Sequence, residues 1–299
     1  MTEPTHPRRP PTRQHATPSG AGSESSVIDG MVVDEARHPV ARRIADVLRA
    51  SGGNQRIFLV DDQENIEQAI RCGVRLDSVY RTMGQAAMDD SLCAAIPAGI
   101  PCHVLADDVA RVLFGADRRS RVFALAHRPP RPELSDLTDR PGDIVVLDGV
   151  RLPGNIGAVT RTACAFDAAG VVLVDSGLTS TVDRRLVRAS RGMVFAVPVV
   201  LATGQQLRSY LHRHDIPLVS LSPRASAPLS AAGRIGRRLA LLLGSEKRGA
   251  SASLENSASR RYHVPTSPDV ESLNVSVAAA IALYERRNRT SHDRPNARR

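Results

Sequence analysis

From residue 142 to residue 243 the chain repeats one pattern: short runs that are apolar at nearly every position, separated by amphipathic stretches. The runs are Ile144-Val145-Val146-Leu147, Val171-Val172-Leu173-Val174, 195–201, 218–221 and 239–243. A strand with one wet face alternates apolar and polar residues, so strands that are apolar throughout must be covered on both faces. The stretches between them predict helices beginning near Ile156 and spanning 184–191 and 204–212. Strand and helix in alternation build a parallel sheet with helices on both sides, an α/β architecture.

A second, smaller α/β unit precedes it. Residues 56–60, 76–80, 103–105 and 122–126 read as strands, and 39–50, 63–72 and 107–114 as helices. In the first of these helices Val40, Ile44, Val47 and Leu48 fall on one stripe, the pattern of a helix laid on a core. Pro129, Pro130, Pro132 and Pro141 then interrupt the chain where neither a continuous helix nor an interior strand can form. The predicted division is an arm at 1–36, a first domain at 37–127, a linker at 128–141, a second domain at 142–287 and a tail at 288–299. Arm and tail lack periodic apolar residues and are expected to be disordered.

The chain carries 40 lysines and arginines against 31 aspartates and glutamates, a net charge of +9. Cations laid along phosphates release bound counterions, so this balance favours a polyanionic partner, with nucleic acid the first candidate. Lys247 is the single lysine. A GC-rich coding sequence would produce that arginine preference unaided, which leaves clustering as the better sign. Cys72, Cys93, Cys102 and Cys164 form no Cys-x-x-Cys pair and have no histidine at ligand spacing, so no metal is expected. No apolar stretch approaches the roughly 20 residues of a membrane span, and no secretory segment opens the chain. A reduced, cytoplasmic setting without disulfides or membrane contact is expected.

Three segments concentrate polar chemistry where apolar runs end. In Gly154-Asn155-Ile156-Gly157-Ala158-Val159-Thr160-Arg161, Asn155 is expected to cap a helix and Gly157 to permit close backbone approach. A helix start there points free amides at an anion. Arg161 follows six residues later and is read as sharing a flank with Asn155, an exposed helix arginine being the plain alternative. Leu241-Leu242-Leu243-Gly244-Ser245-Glu246-Lys247-Arg248-Gly249 brackets a lysine with glycines but lacks the Gly-Lys-Ser/Thr of a P-loop, and Glu246 would repel a triphosphate. A carboxylate suits a cationic cofactor instead. Glu271-Ser272-Leu273-Asn274-Val275-Ser276 places Ser272 and Asn274 before an alanine-rich helix, where either could serve as a cap. Arg184, Arg188 and Arg191 recur at spacings of four and three on one helical face, as a solvated row or a phosphate contact. Neither Gly-x-Gly-x-x-Gly after a strand nor Gly-x-Ser-x-Gly occurs, which argues against a Rossmann dinucleotide site and a hydrolase elbow.

Taken together, the three segments, with Asn-x-Gly-x-x-x-Arg in the first, resemble the SpoU branch of the SPOUT RNA methyltransferases. The resemblance is strongest over 143–286. Residues 38–126 are similar to the L30e-like RNA-recognition domain that precedes many SpoU catalytic domains. Val145-Val146-Leu147-Asp148-Gly149-Val150, Asp183-Arg184-Arg185-Leu186 and Ser272-Leu273-Asn274-Val275-Ser276-Val277 look most like the thiopeptide-resistance methyltransferases.

The resemblance implies a C-terminal SPOUT domain with a parallel sheet and a deep trefoil knot. It implies methyl transfer from S-adenosylmethionine to the ribose 2'-hydroxyl of an adenosine in the GTPase-associated centre of 23S rRNA, blocking thiostrepton or nosiheptide. It also implies a homodimer whose sites draw on both subunits. Catalysis would fall to Arg161, Asn155, Glu246, Ser272 and Asn274. Cofactor contacts would fall to Leu221, Leu243, Gly244, Ser245, Glu246, Val264, Ser272, Leu273 and Asn274, and RNA contacts to Arg161, Arg191, Arg188 and Arg121. Arg248 stands where relatives often carry a second glycine. A tRNA ribose methyltransferase sharing the catalytic domain is one alternative, and a non-catalytic RNA-binding homologue in ribosome assembly is another, against which retention of the motif residues argues.

Overall fold

The computed structural model describes residues 29–49, 56–84, 87–115 and 122–292. The first domain contains β1 (Asp29–Val33), α1 (Pro39–Arg49), β2 (Ile57–Asp61), α2 (Gln63–Arg71), β3 (Leu76–Thr82), α3 (Asp90–Ala95), β4 (Cys102–Leu105), α4 (Asp107–Phe114) and β5 (Val122–His127). Its five strands lie in the order β1-β4-β3-β5-β2, with β5 antiparallel to both its neighbours and the other pairs parallel. One face buries Ile44, Leu59, Tyr80, Val109 and Phe123, beneath α1 and α4. The opposite face buries Phe58, Val60, Ile66 and Leu92, beneath α2 and α3.

The arm expected over 1–36 gives way at Asp29, where β1 pairs in parallel with β4. Val33 is buried but Met31 and Val32 are half exposed, so this short edge strand carries no periodic apolar signal. The remainder of that arm, 1–28, lies outside the described residues.

A 3-10 turn at Leu134–Leu137 opens the route to the second domain. Leu137 is completely buried in that domain's core, and Arg238 Nη2 donates to its carbonyl at 2.8 Å. The segment expected as a linker is thus packed down rather than suspended.

The second domain follows with β6 (Ile144–Asp148), α5 (Pro153–Ala165), β7 (Gly170–Val174), α6 (Arg184–Ala189), β8 (Val199–Leu201), α7 (Gly204–Arg213), β9 (Leu218–Leu221), β10 (Ala227–Pro228), α8 (Ser230–Gly233), β11 (Ala240–Gly244), α9 (Ala252–Glu255), β12 (Arg260–His263) and α10 (Val275–His292). Seven strands run parallel in the order β10-β12-β9-β11-β6-β7-β8. Val145, Leu147, Val171, Leu173 and Leu241 point to a core shared with Ile156 and Val159 of α5 and Ala279 and Leu283 of α10. Ile144, Val146, Val172 and Leu242 point the other way, to Leu207 and Leu211 of α7 and Leu254 of α9. The sheet is covered on both faces, as its uninterrupted apolar runs require.

Boundaries within this domain and its tail differ from expectation as well. The helix read over 184–191 ends at Ala189, because Arg191 and Gly192 take left-handed φ values of 50° and 72°. The strand read over 195–201 is a 3-10 turn at Met193–Phe195 followed by a strand only from Val199, beyond Pro198, which has no N–H for a ladder. The tail expected from 288 is helical through His292, since α10 continues past its buried part; residues 293–299 lie outside the described residues.

Arg286 anchors α10. Its Nε donates to Asp143 Oδ2 at 2.6 Å and Nη2 to Oδ1 at 3.1 Å, while the carbonyls of Ala232, Ile235 and Arg237 take its remaining N–H groups. Asp143 also accepts from the Leu239 amide, so one buried pair ties the last helix to the feet of β6 and β11. Among the described residues no helix is long and apolar enough to cross a membrane.

Candidate active site

Parallel strands deliver their following loops to one edge of the sheet, and a crevice opens there where the next helices leave to opposite faces, as α5 after β6 and α9 after β11 do. β6 and β11 are neighbours in register, Asp148 standing opposite Gly244. The loops after them carry the first two motifs, and the segment entering α10 carries the third.

α5 starts earlier than expected. Pro153 occupies its first turn, where the missing N–H is no loss, and Leu152 holds the cap position. Asn155 therefore lies inside the first turn rather than capping it, and its side chain is released for longer contacts. Asn155 Nδ2 donates to Glu246 Oε1 at 3.2 Å, Asn274 Nδ2 to the same oxygen at 2.9 Å and to Asn155 Oδ1 at 3.3 Å. Asn274 Oδ1 accepts from the Ser276 amide and hydroxyl, so this residue does cap α10. Three residues separated by 91 and 28 positions thus meet on one carboxylate oxygen. Glu246 Oε2 has no partner among the described residues, and Glu246 and Asn274 are both open to solvent.

The loop bearing Glu246 is rigidly closed. A Cβ on Gly244 would lie 2.0 Å from the Ala250 nitrogen, so only glycine fits there. Ser245 and Gly249 exchange both backbone hydrogen bonds, at 3.0 and 2.8 Å. The left-handed residue of the turn is Gly249, so Arg248 needs none of the freedom of the glycine common in relatives. Asp148, almost wholly buried, accepts from the Ser251 amide at 2.6 Å and pins the far end of the loop. Asp148 was not among the expected site residues. Its signal was a carboxylate closing an apolar run, where a buried charge needs a partner.

The expected apolar contacts line up along the same edge. Leu243 of β11 is in register with Leu221 of β9, which pairs in turn with Tyr262 of β12, two residues before Val264. β12 itself went unpredicted because Arg260 and Arg261 are exposed and only Tyr262 is buried. Leu273 is half-buried, and Ser272 is exposed with no hydrogen-bond partner among the described residues.

The arginines divide. Arg161 is exposed on α5, has no partner among the described residues, and does not join the Glu246 cluster. At Gly157, one turn before it, a Cβ would come within 2.5 Å of Ala189, so α5 lies directly on α6. Arg184, Arg188 and Arg191 are not a bare row: they meet Asp61, Asp62 and Glu64 of the first domain. Asp62 holds a left-handed φ of 67°; partial desolvation pushes its carboxyl above the ordinary carboxylate range although the side chain is still 49% exposed, while Arg188 acts the other way. Arg121 lies outside the described residues.

Residues 143–284 match the SpoU rRNA Methylase family, and residues 30–140 match the N terminus of the thiostrepton-resistance methylases. Over 258 residues the chain is 40% identical to the 23S rRNA (adenosine(1067)-2'-O)-methyltransferase of Streptomyces laurentii, covering 86% of this chain and 96% of that one. The chain belongs to the SpoU rRNA methylase family. The enzyme of the same name from Streptomyces azureus is 38% identical, with 84% and 93% covered. In fold, this SpoU methylase is similar to an AdoMet-bound rRNA methyltransferase from Sinorhizobium meliloti, with a TM-score of 0.73 at 22% identity, covering 88% of this chain and 98% of that one.

Proposed function

We propose that this SpoU methylase transfers the methyl group of S-adenosylmethionine to the ribose 2'-hydroxyl of an adenosine in the GTPase-associated centre of 23S rRNA, in the cytoplasm, and so confers thiopeptide resistance. The observation that carries the reading is the meeting of Asn155, Glu246 and Asn274 at the crevice. The likeness to the Streptomyces 23S rRNA enzymes over nearly their whole length supports the choice of target.

The donor set fits the cofactor. Leu221, Leu243, Val264 and Leu273 provide apolar contact suited to an adenine, while Ser245, Glu246, Ser272 and Asn274 provide hydrogen-bond partners and a negative charge. When bound, S-adenosylmethionine supplies a methyl group made electrophilic by its positively charged sulfur. Glu246, held through Oε1 by two amides, keeps Oε2 for that cationic ligand. Asp148 keeps the loop in place through Ser251.

Arg161 is assigned to the RNA, and Arg188 and Arg191, whose side chains stay 52% and 61% exposed beside Asp62 and Glu64, to flanking phosphates once those solvated pairs open. A guanidinium stays charged in a protein and is a poor base, so Arg161 stabilises the developing alkoxide and orients the adjoining phosphate, the proton leaving to phosphate or water. Holding the hydroxyl at near-attack distance supplies much of the rate.

A homodimer belongs to the same reading. Leu152, Val270, Val277 and Tyr284 are 63%, 43%, 46% and 54% exposed on the start of α5, the approach to α10 and α10 itself, an apolar surface suited to a second copy. The implied knot is also part of it, supported by the return of residues 264–274 to set Asn274 beside Asn155.

The experiment is methylation of a GTPase-centre rRNA fragment and of whole tRNA with labelled donor, followed by mapping of the modified ribose. Label on one adenosine of the fragment and none on tRNA is expected. Label on tRNA alone would transfer the reading to a tRNA methyltransferase, and no donor binding by calorimetry would favour a non-catalytic RNA-binding protein.

A further inference from the structure

The acidic turn of the first domain is clamped to the helix on which the catalytic helix rests. β2 ends in Asp61, which is completely buried, and its carboxylate receives both Nη2 of Arg184, at 2.8 Å, and Nε. The Arg184 guanidinium carbon also stands 5.2 Å from the centre of the Phe114 ring, at the end of α4. Asn65 Nδ2 donates to the Asp61 carbonyl at 2.8 Å and steadies the turn. Two looser ion pairs, Arg188 to Asp62 at 3.3 Å and Arg191 to Glu64 at 3.6 Å, and one hydrogen bond, Arg128 Nη1 to Ser180 Oγ at 2.9 Å, surround this pin. The rings of Phe58 and Phe195 close the seam at 5.9 Å. On its other side α6 meets α5 through Ala189 and Gly157, two residues from Asn155 and four from Arg161. One side chain, one short helix and one close helix contact therefore connect the first sheet to the residues of the crevice.

We propose that Asp61 and Arg184 are positioning residues for methyl transfer: they fix where the first domain, and the RNA it holds, stands relative to the crevice, and so select one ribose. This rests on the reading of the chain as an rRNA ribose methyltransferase. Solvated pairs such as Arg188–Asp62 hold two side chains loosely. A forked arginine–carboxylate pair whose carboxylate is fully buried and whose guanidinium is 31% exposed still admits one geometry. Stability alone does not require charge at this place, because apolar residues of similar volume can replace a buried pair with little loss. Direction is what the fork adds, and direction matters here because a displacement of about 1 Å at reacting atoms can lower a rate on the order of 10²-fold.

The test uses the full chain carrying Asp61→Leu with Arg184→Met, and separately Arg184→Lys, which keeps the charge but not the fork. Cofactor affinity is measured by calorimetry, kcat and KM on the rRNA fragment, and the modified riboses are mapped. Both variants are expected to bind S-adenosylmethionine within about twofold of the parent and to show a KM for RNA raised about tenfold or more. Methylation should spread to neighbouring riboses, and kcat at the parental ribose should fall on the order of tenfold or more, as displaced reacting atoms require. An unchanged KM with methylation at one ribose overturns the proposal. So does loss of cofactor affinity in step with loss of RNA binding, which a merely structural contact would produce. If the double variant does not fold, Arg184→Lys decides alone. A parent that methylates no RNA defeats the functional reading before any substitution is compared, and is told apart in that way.

Discussion

At both ends of the seven-stranded sheet a carboxylate gathers nitrogen donors from distant parts of the chain, and the two ends differ in their access to water. At the foot, Asp143 is 8% exposed, and Arg286 and the Leu239 amide engage both its oxygens. At the crest, Glu246 is exposed and holds Asn155 and Asn274 through Oε1 alone. The same chemical parts give a strut where burial leaves no bonding capacity spare, and a site where capacity is left over.

The largest effect should come from breaking the strut. Arg286→Ala strands Asp143 as an unpaired buried charge and frees three carbonyls, and should destabilise the fold by about 3–5 kcal/mol, read by chemical denaturation. A loss below about 1 kcal/mol would mean water reaches Asp143 and the contrast between the two ends is false.

Next comes the crest, where chemistry rather than stability should suffer. Arg161→Ala is expected to lower kcat on the order of 10²–10³-fold, the usual consequence of removing a charge-stabilising donor, with the melting temperature nearly unchanged. Arg161→Lys with near-parental turnover would show that the forked guanidinium has no special role.

The smallest effect sharpens the comparison at a third carboxylate, Asp62, which is neither fully satisfied nor free. Its folded pKa is raised by burial, so the folded state holds its proton more tightly than the unfolded chain does. Stability from this group therefore falls as pH rises from the ordinary carboxylate range through the raised value. Asp62→Asn should leave the melting temperature at pH 7 unchanged or raised by about 1–2 °C, because loss of the solvated Arg188 pair offsets part of the gain. The difference should vanish below the ordinary carboxylate range. A variant less stable at pH 7 and equal to the parent in acid would reverse the sign.

Much of the fold was legible because its signals are local. The apolar runs of β6, β7, β9 and β11 announce strands buried on both faces, and each is present. β1 and β12 were not legible, since each buries a single apolar side chain. Asn155 was expected to cap a helix, but Pro153 begins the helix before it and its side chain meets Glu246 instead. The arginine spacing on α6 was visible, but not what stands opposite it.

By itself the sequence determined the α/β class, the two α/β units and the three polar segments at strand ends, because periodicity and spacing are properties of neighbouring residues; the SpoU family entered as a resemblance carried by those segments. Tertiary structure alone decided that Arg184 closes on Asp61, 123 residues away, that Asp148 holds Ser251, and that one oxygen of Glu246 gathers two asparagines. The reason is physical: the strength of a charge or a hydrogen bond depends on its partner and on the water removed around it, and both exist only once distant segments have met.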